Sequence, residues 1–171
     1  MGEQPCYDQY PVWMVLVSSL LSISIYLIGA MILSPIGLIW PILYLLFVLL
    51  LELRLMKGHC VDCYYYGKTC GFAKGRLSSM FFPKGTPEHF SKMTITWKDI
   101  VPDFLVFIIP VLVGIALIIR TFSWILFLLI IALFILGFAG NAVVRGKIAC
   151  RYCRQKEIGC PAQRLFERPE K

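Results

Sequence analysis

Residues 12–33 read VWMVLVSSLLSISIYLIGAMIL, twenty-two positions without a single charge. At about 1.5 Å of rise per residue, a helix of that length crosses a hydrocarbon core about 30 Å thick. The run has no polar face of period 3.6, as the amphipathic helix of a soluble domain would have. It therefore predicts a transmembrane helix, and the chain contains three more runs of the same kind. Residues 38–55 form the second, with Pro41 in the first turn, where a missing N–H matters least, and Glu52 and Arg54 near the end. Residues 100–119 form the third, beginning near Asp103 and holding Pro110 in mid-span, where a kink is expected that neighbouring helices can absorb. Residues 122–144 form the fourth, with Gly137, Gly140 and Asn141 near its end. Asn141 is expected either to bond between helices or to cap the last turn.

Composition agrees with this reading. The 171-residue chain is 58% hydrophobic, with a mean hydropathy of +0.75, against about 45–50% apolar residues in a soluble domain. Sixteen of the seventeen Lys and Arg residues lie outside the four runs and Arg54 sits at the end of one, because a charge at mid-bilayer costs about 2.5–3.5 kcal/mol. The first ten residues carry Glu3 and Asp8 but no Lys or Arg. A positive leader region is thus missing, and the first run is expected to stay as a span.

Ser34–Gly37 and Arg120–Thr121 are the only residues between runs one and two and runs three and four. Such short links predict antiparallel neighbours, that is, two tandem helical hairpins. The expected fold is an all-α integral membrane protein with four transmembrane helices. Its parts are a short cytoplasmic N-terminus (1–11), a first hairpin (12–55), a cysteine-rich module (56–99), a second hairpin (100–144), and a second cysteine-rich module with a basic tail (145–171). Orientation follows from charge. Segment 54–98 carries eight Lys and Arg residues and segment 145–171 another eight, leaving Arg120 for the hairpin turns. The positive-inside rule places both termini and both modules in the cytoplasm. The net charge of +7 then reflects loops facing anionic headgroups, and no nucleic-acid partner is expected. Tyr10, Trp13, Trp40, Tyr44 and Trp124 are placed as interfacial anchors.

The modules carry the chemistry. Cys60, Cys63 and Cys70 read C-x2-C-x6-C, and Cys150, Cys153 and Cys160 repeat that spacing at a constant offset of 90. Lys57 and Lys147 stand three residues before each triad, Lys74 and Arg164 four residues after it, and Pro11 and Pro102 open the first span of each half. This pattern is read as a tandem duplication of hairpin plus cysteine module, with parallel repeats and both triads on one face of the membrane. After the first triad the halves diverge. Met80, Phe81, Phe82, Phe90, Met93 and Trp97 mix with Lys84, Lys92 and Lys98 around Pro83, Gly85 and Pro87, a composition suited to the headgroup layer.

Cytoplasmic thiols stay reduced, so disulfides are not the default. C-x2-C spacing lets two sulfurs reach one tetrahedral ion at about 2.3 Å, and the third cysteine can return to it. Each triad lacks a fourth ligand. Either an outside group supplies it, with His59, His89, Asp62 and Cys6 as candidates, or the triads pair, six thiolates giving two ions eight bonds if two of them bridge. Cys6 can equally be a lipidation site or an inert thiol. Lys57, Lys68, Lys74, Arg76, Lys147, Arg151, Arg154 and Lys156 lie near the triads in sequence; they are expected to favour thiolates by lowering the cysteine pKa values, or merely to be positive-inside residues.

Two C-x2-C-x6-C halves resemble the binuclear zinc–cysteine cluster of fungal transcription factors. The likeness covers only Cys60 to Cys70 and Cys150 to Cys160. That family joins its halves by a short loop, whereas this chain puts two spans between them, so its DNA-binding role does not carry over. What the resemblance implies is a coordination geometry, with Cys60, Cys63, Cys70, Cys150, Cys153 and Cys160 around two zinc ions. An iron–sulfur cluster is the competing cofactor, although four-iron clusters usually take four cysteines. Redox-active or unliganded thiols are a further alternative.

No nucleophile–base set, phosphate loop or paired-carboxylate arrangement stands out, and Glu52, Arg54 and Asp103 are expected to snorkel to the interface. The function expected is a metal-thiolate accessory or structural subunit of a membrane assembly, with the bilayer and another membrane protein as partners. The alternatives are an electron-transfer or thiol-redox protein and a lipid-modifying enzyme.

Overall fold

In a computed structural model of the protein, residues 6–93 and 96–161 are described, with backbone alone at 97–99. The end of the basic tail from 162, including Arg164, lies outside the described residues, as do 1–5 and 94–95. Among the described residues seven α-helices form: α1 (Val12–Leu33), α2 (Ile39–Leu55), α3 (Lys74–Phe81), α4 (Pro87–Lys92), α5 (Trp97–Arg120), α6 (Trp124–Phe134) and α7 (Gln155–Ile158). There is no strand among the described residues, only an isolated bridge between Tyr7 and Cys153. The first charge-free run becomes α1 with the same ends. α5 begins three residues before the apolar run.

Two helices change pitch as they approach the cysteines. α2 passes into a π-helical turn at Met56–Cys60, and α6 continues through π-helical stretches at Ile135–Gly140 and Ala142–Ala149. Four helical stretches, Val12–Ile36, Ile39–Cys60, Ile100–Arg120 and Trp124–Tyr152, are long and apolar enough to cross a membrane. Only 17–28% of their apolar windows is buried within the protein. Leu43, Leu46 and Leu50 of α2 are exposed, as are Ile125 and Leu128 of α6. Apolar surface left uncovered on this scale suits lipid as its solvent better than water.

The chain divides into two units. One, drawn from Leu20–Glu52 and Trp97–Val143, is helical throughout its core. Ile25, Ile32, Val111, Leu126, Ile130 and Leu133 form one buried cluster in it, and Ala30, Leu33, Tyr44, Val48 and Val106 a second. Pro110 is fully buried in α5 and has no N–H to give the carbonyl four residues earlier, that of Val106. The Tyr44 hydroxyl from α2 donates to that carbonyl at 2.9 Å. Gly29 of α1 makes room for it, since a Cβ there would run into the Tyr44 ring. A neighbouring helix thus satisfies the group that proline strands.

Tyr44 is therefore buried rather than an interfacial anchor, while Trp40 and Trp124 stay exposed. Glu52 does not snorkel freely either, because its Oε1 accepts the Tyr26 hydroxyl of α1. Asn141 turns back on its own helix, donating from Nδ2 to the Gly137 carbonyl at 2.9 Å.

Candidate metal centre

The second unit is drawn from Met1–Ser19, Leu53–Thr96 and Val144–Lys171 and contains both triads. All seven cysteines are thiols. A small aromatic core of Tyr10, Met14 and Tyr65 packs against Cys63, Cys70 and Cys153, with Tyr7, Tyr64 and Tyr152 around it. The rings of Tyr10 and Tyr65 lie 5.4 Å apart, and those of Tyr64 and Tyr65 5.2 Å apart and nearly perpendicular. Tyr10, like Tyr44, is buried instead of anchoring at the interface, and its hydroxyl donates to the Ala149 carbonyl just before the second triad.

The repeat seen in the spacing extends to the backbone. The Cys63 N–H donates to the Cys60 carbonyl at 3.4 Å, and the Cys153 N–H donates to the Cys150 carbonyl at 3.3 Å. The Tyr66 N–H then donates to the Cys63 carbonyl at 3.0 Å, and that of Lys156 to the Cys153 carbonyl at 3.1 Å. The sulfur of Cys63 accepts the N–H of Tyr65, and the sulfur of Cys153 accepts that of Gln155. Every member of one half stands 90 positions from its counterpart. The two knuckles share these backbone bonds although Cys60 closes a π-helical turn and Cys150 opens a 3-10 turn, and in each a backbone N–H two residues on works against the effect of burial on the thiol. Such donors favour a thiolate over a thiol.

The knuckles also hold each other. The Gln155 Oε1 accepts the Tyr64 N–H at 2.7 Å, and the Tyr65 hydroxyl oxygen accepts the Arg154 N–H at 2.9 Å. Tyr64 corresponds to Arg154 and Tyr65 to Gln155 under the same offset. In each half, then, the side chain two residues past the second cysteine takes up the N–H one residue past that cysteine in the other half. This is a local twofold built from unlike residues. Gln155 and Tyr65 are each only 2% exposed. The remaining polar atoms are used as well: Gln155 Nε2 donates to the Gly159 carbonyl at 3.1 Å, and the Tyr65 hydroxyl donates to the Tyr7 carbonyl at 2.6 Å.

Across this twofold the thiols come within electrostatic reach of one another. Cys63 interacts with Cys60, Cys70 and Cys160, Cys153 with Cys63, Cys150 and Cys160, and Cys150 with Cys160. Burial pushes the Cys63 and Cys153 thiols up to about 12, and the neighbouring thiols add to it. Nearby cations do not lower these values as expected: no basic side chain is among the main influences on Cys63 or Cys153, and at Cys150 burial outweighs Arg145. A bound metal cation would reverse that balance, because a thiol releases its proton to solvent when its sulfur ligates the metal. Among the described residues, no group of three or more His, Cys, Asp or Glu side chains is arranged to hold a metal ion. The donors' chemistry suits soft, thiolate-binding ions all the same.

The additional ligand candidates are engaged elsewhere. Asp62 is buried, its Oδ1 accepting the Thr86 N–H at 2.8 Å and its Oδ2 meeting His89 Nδ1 at 2.7 Å. This pair pins the loop before α4 to the first knuckle. The His59 ring packs edge-on against Phe90. The Cys6 Sγ points at the Cys153 carbonyl, 3.8 Å away, and a hydrogen bond to Glu157 raises its pKa. At the rim, the Tyr64 hydroxyl donates to Asp8 at 2.7 Å and Arg154 pairs with the same carboxylate, which is held below its usual range by these two contacts.

Tyr65 and Gln155 were not singled out by the sequence reading. Their equal distance from Cys63 and Cys153 was the available signal, but tyrosine and glutamine share no side-chain chemistry that draws the eye. No protein-family model, curated protein or solved structure matches this chain.

Proposed function

We propose that this is a multi-pass membrane protein whose two cysteine triads form one shared metal–thiolate centre, with zinc as the metal, and that it serves as a structural or accessory subunit of a membrane assembly. The observation that carries this reading is the reciprocal pair of bonds between Tyr64 and Gln155 and between Arg154 and Tyr65. A local twofold between two knuckles is the arrangement in which six thiolates can complete two tetrahedral ions through two bridging sulfurs. In this reading the centre clasps the end of α2, which leads into Cys60, to the end of the fourth apolar stretch, which leads into Cys150.

Two hairpins are the membrane arrangement proposed. In support, Tyr26 and Tyr44 join α1 to α2, and Phe107 of α5 packs edge-on against Phe134 of α6 at 4.9 Å. The sixteen basic residues of segments 54–98 and 145–171 support a cytoplasmic side for the centre and both termini, by the positive-inside rule. The sequence presents no evident nucleophile–base set, which is compatible with a clasp.

The test is anaerobic purification followed by metal analysis and a visible spectrum. About two zinc per chain and no colour support the clasp. Iron with charge-transfer absorption moves the protein to electron transfer, and metal-free oxidised thiols to thiol-redox chemistry. Cys60→Ser and Cys150→Ser, made singly, then test sharing: each variant releases both ions from a shared centre but only one from independent sites.

A further inference from the structure

α3 is built inside out. Its buried positions are the small residues Gly75 and Ser78, while Leu77, Met80 and Phe81 are 43%, 75% and 62% exposed. On a helix of 3.6 residues per turn, Met80, Leu77 and Phe81 are neighbours in one outward stripe, flanked by Arg76 on one side and Lys74 on the other. Lys84, just beyond the helix, is exposed too. In water an outward apolar stripe is a liability, but beside a bilayer it is the composition of a helix lying in the headgroup layer, its apolar side chains dipping inward and its cations at the phosphates.

The same unit contains the ends of three of the four apolar stretches, at Val12–Ser19, Leu53–Cys60 and Val144–Tyr152. A membrane surface is therefore what that unit meets. The tilt of α3 is fixed from within. The Gly75 N–H donates to the Cys70 sulfur at 3.2 Å, and its carbonyl accepts the Gly67 N–H at 2.9 Å. A Cβ on Gly75 would strike the backbone carbonyls of Tyr65 and Lys68, so no other residue lets α3 sit this close to the first knuckle.

We infer that α3 is an interfacial helix whose Leu77–Met80–Phe81 stripe takes the acyl boundary of anionic phospholipid, with Arg76 and Lys84 on the headgroup phosphates. It rests on the metal-centre reading only for the angle at which Cys70 holds it.

The test uses the full-length protein with Phe81→p-benzoylphenylalanine, reconstituted in vesicles of phosphatidylcholine mixed with phosphatidylglycerol. Irradiation is followed by mass spectrometry of the adducts. Phospholipid adducts at position 81 are expected, enriched in phosphatidylglycerol beyond its share of the mixture. The same label at Ser79, which is exposed but off the stripe, should give none. Arg76→Gln and Lys84→Gln should each cut the enrichment by about fivefold while leaving the adduct itself. Label transferred only to protein, no lipid adduct, equal labelling at 79 and 81, or adducts in the bare mixing ratio would each overturn the inference. Metal content measured on the same sample separates the two readings, since lipid adducts without metal sink the clasp alone and metal without lipid adducts sinks this inference alone.

Discussion

Gln155→Leu removes one arm of the reciprocal contact at nearly constant volume. The side chain is buried, so the replacement is tolerated sterically, but the Tyr64 N–H loses a 2.7 Å acceptor and the Gly159 carbonyl a 3.1 Å donor. A buried group left without its partner costs about 1–3 kcal/mol. Tyr64 is only part-buried, and water can recover some of the loss at its N–H. The net cost expected is about 1–2 kcal/mol, a factor of about 5–30 in an equilibrium constant. That cost falls on the contact between the knuckles and should therefore appear in metal affinity. The assay is competition with a chromophoric chelator in detergent, following zinc release from wild type and variant under the same conditions. In a shared centre both ions loosen together by that factor, and Tyr65→Phe, which removes the opposite arm, gives a similar loss. Zinc affinity unchanged in both variants, or one ion released with the other unaffected, would refute the reasoning that the triads complete each other.

Tyr44→Phe strands the Val106 carbonyl beneath Pro110 and should destabilise the helical unit by about 1–3 kcal/mol in mixed-micelle unfolding; in a Pro110→Ala background, where the helix supplies its own donor, the penalty should shrink by about 1 kcal/mol or more. Gly29→Ala should cost about 1–3 kcal/mol in the same assay, because its methyl meets the Tyr44 ring. Gly75→Ala should release α3 from the first knuckle, read as faster amide exchange at Gly67. Asp62→Ala should unpin the loop at Thr86 and speed its amide exchange while leaving the metal count unchanged, and a lost ion would instead make Asp62 or His89 a ligand.

The spans could be read from the sequence because they depend on a local quantity, an unbroken run of apolar residues long enough for the bilayer. The ends of α1 coincide with such a run for that reason. The pitch changes could not be read this way, since Ile135–Gly140 is uncharged like the α-helical residues before it, and its two glycines do not by themselves separate an i→i+4 bond from an i→i+5 bond. Tyr10 and Tyr44 were taken for interfacial anchors because tyrosine near a span end usually is one. Each is instead drawn inward by a carbonyl far away in the chain, that of Ala149 in one case and of Val106 in the other. Pro110 announced the second of these, since its missing N–H is written in the sequence, but which side chain would answer it was not. The triads were legible as a repeat, and their partnership across 90 residues was legible only as an option.

What the two halves keep in common, and what they do not, follows from the demands on the sulfurs. The donors at Tyr65 and Gln155 are backbone N–H groups, so any residue except proline can stand there and still serve the sulfur two places back. That freedom leaves the two side chains unconstrained by the sulfurs, and each meets the other half with different chemistry, a hydroxyl in one case and an amide in the other. Cys70 shows the complementary constraint. Its sulfur accepts from Gly75, a position where only glycine fits, and this residue also lies in the first turn of the helix that carries the outward apolar stripe. A thiol of the candidate centre and the membrane-facing helix thus share a single residue. A change in the bonding of Cys70 therefore has a direct route to the tilt of α3, through one hydrogen bond and no intervening side chain.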